Sequence, residues 1–242
     1  MTVPLPRIGV IMLDTAFPRP PGDIGAPESF AESCAGGVIY DRVPAATIAR
    51  VAAGDPRDPS LISGFIAARD RLVAAGAELI TTSCGLLVFH QARLAAGCPV
   101  PVTASALLQL RLRLAELGGP VGVIGLQAAG ISADHLRAAG APPDLPLAGF
   151  AGDSHLLSVL RRNRADVAAD PARAGAELLA LGRGLRDRVP DLRGIVLECT
   201  NLPPYKAALV AALDIPVFDF MDWLRDVAAG RAAPDGTPRI AS

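Results

Sequence analysis

Two short stretches constrain this chain more than any others, because each is a run of β-forming residues that ends in a cysteine. One is Leu79-Ile80-Thr81-Thr82-Ser83-Cys84-Gly85, and the other is Gly194-Ile195-Val196-Leu197-Glu198-Cys199-Thr200-Asn201. Short apolar runs of this kind read as buried parallel strands. Helix-forming sequence follows both, and ligands of open α/β sheets bind just beyond the carboxyl ends of strands. The two cysteines therefore fall where such a fold places its chemistry. A second pair of runs repeats the spacing. Ile8-Gly9-Val10-Ile11 resembles Val121-Gly122-Val123-Ile124; 75 residues separate Gly9 from Cys84, and 77 separate Gly122 from Cys199. This points to an internal duplication with one thiol per half.

The remaining punctuation supports an α/β chain in which strands alternate with helices. Strands are expected at 7–13, 38–43, 78–83, 99–103, 121–125, 146–151, 194–198 and 215–218. Gly76 should stop a helix over 62–75, Ser105 and Ser132 should cap helices, and Asp170-Pro171 should start one that reaches Arg188. Asp219 should cap a last helix that ends near Gly230. The expected fold is two similar lobes, each a parallel sheet flanked by helices, related by a pseudo-twofold axis with the site in the cleft between them. Lobe 1 would comprise 1–104 with 215–242, and lobe 2 105–214. The tail 231–242 reads as loosely ordered.

Composition excludes several classes of function. Net charge is −1 with no basic block, which argues against nucleic acid and membrane-surface partners. No charge-free apolar run is long enough to span a bilayer, and the start Met1–Arg7 lacks a signal pattern, so a cytoplasmic location is expected. The four cysteines lack metal-ligand spacing and are expected to be free thiols. Cys34 and Cys98 read as ordinary small apolar or loop residues and His90 as structural, while His135 and His155 stand in helical or loop contexts without clustered ligands, which argues against a metal site. Surfaces of Ala/Leu-rich helices would suit a homodimer.

A thiol titrates near pH 8.5, and a helix N-terminus favours its thiolate. Both Cys84 and Cys199 precede helices, so both are expected to be activated. Two opposed thiols can remove a proton from one face of a carbon and return one to the other, which inverts a stereocentre without a cofactor. With these residues in view, the chain resembles the cofactor-independent aspartate/glutamate racemase superfamily, which also contains hydantoin racemases, maleate isomerases and arylmalonate decarboxylases. Met12-Leu13-Asp14-Thr15, Thr81-Thr82-Ser83-Cys84-Gly85, Val102-Thr103-Ala104-Ser105 and Glu198-Cys199-Thr200-Asn201 carry the resemblance. It implies Cys84 and Cys199 as the acid/base pair acting on a small carboxylate or amino acid. It further implies that Asp14 and Thr15, at the end of the first strand, and Ser83, Gly85, Thr200 and Asn201 position the substrate. The surroundings depart from the amino acid racemases: Gly85-Leu86 stands where they have Asn-Thr, and Asn201 where glutamate racemases have His. Isomerase and decarboxylase chemistry, or a non-catalytic binding role, are the alternatives. Glu198 should point away from Cys199 by strand alternation, and Arg19 in the Pro-rich loop 16–23 reads as a solvated surface charge.

Overall fold

Strand-forming runs of two to five residues, buried in the central strands and half-buried in the edge strand 38–42, build two sheets in this computed structural model, which describes residues 4–53 and 59–239. The first half supplies β1 (Ile8–Met12), β2 (Val38–Arg42), β3 (Leu79–Thr82) and β4 (Val102–Thr103). The second supplies β5 (Val121–Gly125), β6 (Leu147–Gly149), β7 (Gly194–Leu197) and β8 (Val217–Phe218). The orders are β2-β1-β3-β4 and β6-β5-β7-β8, and every pairing within the two sheets is parallel. The two sheets are thus the same topology used twice. Both cysteine runs fall on the corresponding strand, β3 and β7, so the duplication expected from spacing is present in the topology.

Close packing shapes the strands. A Cβ at Gly9 would lie 2.8 Å from the Ala77 side chain, and one at Gly122 2.4 Å from that of Leu185, so the paired glycines admit a helix or loop against the sheet at equivalent points. The expected caps form. Ser105 Oγ accepts from the Leu107 N–H at 3.0 Å, Ser132 from His135 and Asp170 from Arg173 at 3.0 Å. Asp219 accepts from Met221 at 2.8 Å at the head of the helix Phe220–Ala228.

Three boundaries differ from the sequence reading. The chain does not return to lobe 1 at residue 215. Val217–Phe218 pairs with β7 and completes the second sheet, because the apolar pair continues the register from Ile195 and Val196. Only the helix Phe220–Ala228 crosses back. Its Phe220, Met221 and Leu224 enter the core around Ile8 and Val10, while Trp223 enters the core around Val121 and Val123. This helix is shared by both lobes. The tail is also ordered through Arg239: Ala232 bridges Pro238, and Arg231 pairs with Asp226 at 2.8 Å. Residues 240–242 lie outside the described residues. Finally, the segment after Cys84 opens as a 3-10 helix, Gly85–His90, before the short α-helix Gln91–Ala95. Among the described residues no helix is long and apolar enough to cross a membrane.

The Pro-rich loop after β1 reaches across the lobes. Phe17 is buried in the core of the second lobe among the helix and strand residues there, a burial worth about 1.5–3 kcal/mol. Past it, Gly22 has φ +99°, and a Cβ there would meet the Pro204 backbone at 3.0 Å. Ile24 N–H reaches the Thr200 carbonyl at 3.4 Å. The loop is therefore laid on the segment that follows Cys199.

Candidate active site

Cys84 and Cys199, each the second residue past its strand, share one cavity of about 80 Å³ at the junction of the lobes. Ser83, Gly85 and Leu86 line it from the first half, and Leu126, Gln127, Glu198 and Asn201 from the second. Leu13, Ile48 and Ala52 close an apolar side. Local hydrogen bonds fix the Cys84 turn. Thr82 Oγ1 donates to the Ala104 carbonyl at 2.7 Å, Ser83 Oγ accepts from the Leu13 N–H at 2.9 Å, and Ser105 Oγ donates to the Gly85 carbonyl at 2.5 Å.

Glu198 is part of this site. Strand alternation would turn it away, but β7 ends at Leu197, so Glu198 and Cys199 lie on irregular backbone where the period of two no longer applies. Its N–H donates to the Ile124 carbonyl at 2.9 Å, and its carboxyl takes the Leu126 N–H. The side chain lies against two glycines, one from each half. A Cβ at Gly85 would fall 2.4 Å from Oε1 and 2.6 Å from the Glu198 carbonyl, and one at Gly125 3.0 Å from Oε2. Gly85, one of the departures from the amino acid racemases, is therefore the space that Glu198 occupies.

The other expected site residues divide. Asn201 and Gly85 line the cavity with the thiols, as does Ser83, whose hydroxyl is engaged by Leu13. Thr200 is turned away, its Oγ1 donating to the Ser83 carbonyl at 2.9 Å, which ties the two cysteine turns together across the lobes. Asp14 does not line the cavity. Its carboxylate accepts from the Ala45 N–H at 3.0 Å, closing the turn after β2, and stands 3.9 Å from Arg42. Thr15 is buried but outside the cavity lining, and its Oγ1 accepts from Arg19 at 2.7 Å. Arg19 is not a solvated charge: it stacks over the Phe17 ring at 4.6 Å and pairs with the buried Asp23 at 2.6 Å. Asp23 in turn accepts from Asn201 Nδ2 at 2.6 Å. Glu198, read from sequence as facing away, lines the cavity, and Asp23 carries no sequence signal of its own. Asp23 sits in a segment whose only local signal is its Pro and Gly content, and its partner is 178 residues away.

Burial governs the ionisation of the site. It pushes the Cys84 thiol up to about 12, with the Glu198 carboxyl adding to the rise and the N–H groups of Leu86 and Leu87 opposing it. Cys199 is pushed up as well, by burial first, then by Glu198, against the opposing Asn201 N–H, with smaller contributions from Cys84 and Asp23. Desolvation thus outweighs the helix-start effect expected from the sequence, and both cysteines rest as thiols at neutral pH. Glu198 itself is raised by burial to about 7. Among the described residues lining the cavity none is Lys, Arg or His.

No family model matches the sequence. Among curated proteins, dimethylsulfoniopropionate lyase 5 of Emiliania huxleyi (strain CCMP1516) is 30% identical over 228 residues, 88% of this chain and 43% of that protein. A dimethylsulfoniopropionate lyase of Durusdinium sp. clade D is 28% identical over 225 residues, 88% of this chain and 70% of that protein. The chain thus spans less than half of the first relative's length. Among solved structures, a glycine-to-cysteine mutant of arylmalonate decarboxylase, in its sulfate-associated form, superposes with a TM-score of 0.63. It is 17% identical and covers 96% of this chain and 98% of its own. Allantoin racemase from Pseudomonas fluorescens gives 0.57 at 17% identity and 98% coverage of each chain. A glutamate racemase from Bacillus anthracis gives 0.55 at 14% identity, covering 95% of this chain and 82% of its own. With two parallel four-stranded sheets of the same strand order, the chain shares the fold of these decarboxylase and racemase structures.

Proposed function

We propose that the protein is a cofactor-independent enzyme that moves a proton at the carbon beside the carboxylate of a small substrate, with Cys84 and Cys199 as the acid/base pair. The observation that carries this reading is the meeting of two strand-end thiols, one from each half, in a single small cavity. In its racemase or epimerase form, one sulfur as thiolate takes the α-proton and the other returns a proton to the opposite face. Backbone N–H groups at the starts of the two post-cysteine turns hold the carboxylate and the enolate-like charge that develops on it. Pyridoxal phosphate has no part in this scheme.

A second outcome of the same first step is favoured by a specific observation. The cavity presents a carboxyl, Glu198, and no cationic side chain among its described lining residues, while the curated relatives are lyases of a sulfonium carboxylate. A substrate with a cationic group two carbons from its carboxylate would be held by Glu198 and the apolar side of Leu13, Ile48 and Ala52. Its charge would lower the cost of forming a thiolate. Removal of the α-proton then expels the cationic group: the thiolate becomes a thiol, the β-carbon–heteroatom bond breaks with its electron pair going to the heteroatom, and an α,β-unsaturated carboxylate remains.

Nuclear magnetic resonance in heavy water tests both outcomes. The panel holds both enantiomers of aspartate, glutamate and other amino acids, with hydantoins, malonates, maleate and dimethylsulfoniopropionate. Deuterium entry at the α-carbon from both enantiomers supports the racemase form. Formation of an unsaturated acid supports elimination. No exchange and no product from any member, in protein whose fold is verified, refutes the proposal.

A further inference from the structure

The two thiols do not sit in equivalent surroundings, and the difference originates in the loop that reaches over from the first lobe. Asp23 is buried, and its carboxylate accepts on every side: from Arg19 at 2.6 Å, from the Gly25 N–H at 2.8 Å and from Asn201 Nδ2 at 2.6 Å. A carboxylate paired with a guanidinium has no hydrogen to donate, so it fixes which end of the Asn201 amide faces it. The NH2 turns to Asp23, and Oδ1 is left toward Cys199, whose Sγ donates to it at 3.5 Å. Cys199 therefore has a dedicated acceptor for its hydrogen. Cys84 has none among the described residues: the groups acting on its sulfur are the N–H donors of Leu86 and Leu87 and the Glu198 carboxyl. Around Cys199 stand the same Glu198, the Asn201 N–H, Cys84 and Asp23.

We infer that the Arg19–Asp23 loop makes Asn201 a positioning residue that holds Cys199 as the proton-donating thiol and leaves Cys84 to act as the base. This rests on the proton-transfer reading above and assigns direction to it. Proton removal begins at Cys84; Cys199 supplies a proton or stands by. In a racemase, the two enantiomers would then exchange at unequal rates at low conversion. In an elimination, Cys84 alone would carry the bond-breaking step. Asn201 is spent on Asp23 and Cys199, so it is not free to grip a substrate carboxylate through its NH2.

Thiol reactivity tests the assignment without any substrate. Wild-type protein is treated with iodoacetamide across pH 7–10, and alkylation of the Cys84 and Cys199 peptides is followed by mass spectrometry. Cys84 should react ahead of Cys199. Asp23→Asn frees the amide and Asn201→Ala deletes the acceptor, so each should speed Cys199 by about tenfold relative to Cys84, one decade per pKa unit. Circular dichroism and thermal melting confirm that each variant is folded, and the paired exchange Asp23→Asn with Asn201→Asp, which keeps one amide donor between the two side chains and leaves an oxygen toward Cys199, should return Cys199 to slow reaction. Cys199 reacting first in the wild type, or a reactivity ratio unmoved in both folded variants, would overturn the inference. The same variants in the heavy-water assay separate the two claims: the alkylation order stands or falls whether or not any substrate exchanges.

Discussion

Replacing Glu198 by Gln offers the sharpest test of the site's electrostatics. The carboxyl is 4% exposed, takes one backbone N–H and is raised from 4.5 to about 7 by burial. A rise of that size corresponds to about 3 kcal/mol of preference for the protonated form. The folded state holds this proton more tightly than the unfolded chain does. The stability it confers is therefore complete below pH 4.5 and is lost as pH rises through 7. Gln carries no charge to bury. Its variant should match the wild type near pH 4.5 and exceed it by up to about 3 kcal/mol at pH 8. Urea denaturation at pH 4.5, 6 and 8, with midpoint and slope fitted at each, reads the difference directly. The pH profile of α-proton exchange should lose its inflection near 7 in the same variant. Parallel loss of stability in wild type and variant from pH 4.5 to 8 would show that Glu198 is not held as a buried acid, and its share in raising the two thiols would go with it.

Three further outcomes follow from the packing. Gly85→Ala places a methyl 2.6 Å from the Glu198 carbonyl, which cannot swing aside as a side chain can, so it should cost about 1–3 kcal/mol by thermal melting and depress exchange activity. Phe17→Ala removes the anchor that carries the Arg19–Asp23 loop onto the second lobe. It should cost about 3–5 kcal/mol and raise Cys199 alkylation as Asp23→Asn does. Arg113→Met breaks a buried network in which the guanidinium pairs with Asp226, bonds Glu116 at 2.9 Å and stacks on Phe218 at 4.0 Å. Urea midpoints should fall by the equivalent of about 3–5 kcal/mol, with the order of thiol alkylation unchanged.

What the sequence made legible was what local rules govern. The runs ending in Cys84 and Cys199 announced their strands and their places at strand ends, and Ser105, Ser132, Asp170 and Asp219 announced helix starts, because each depends on neighbours within a few residues. What stayed hidden depends on distance. The partnership of Asp23 with Asn201 joins two halves of the chain and leaves no trace in either segment. Glu198 is misread for a subtler reason: alternation is extended two residues past the end of β7, through Glu198 to Cys199, onto backbone that no longer follows it. The thiols were expected to be activated because a helix start is visible in sequence, whereas the burial that outweighs it belongs to the assembled cavity. The second sheet's last strand, two residues long, was visible as an apolar pair, but its sheet was settled only by register.

The duplicated sheets also bear on how such a site could diversify. A symmetric pair of identical half-chains would be bound to place the same residue before both cysteines and the same residue after both. Glu198 before one would mean a second carboxyl before the other, with two acids confronting each other in one small cavity, and a glycine at one flank would force a glycine at the other. Here Ser83 precedes the first cysteine and Glu198 the second, while Gly85 follows the first and Thr200 the second. Only a continuous chain, in which each copy is free to drift by itself, can set a lone acid against a matching gap. Fusion of the halves is thus what permits the twofold scaffold to carry a one-sided reaction centre.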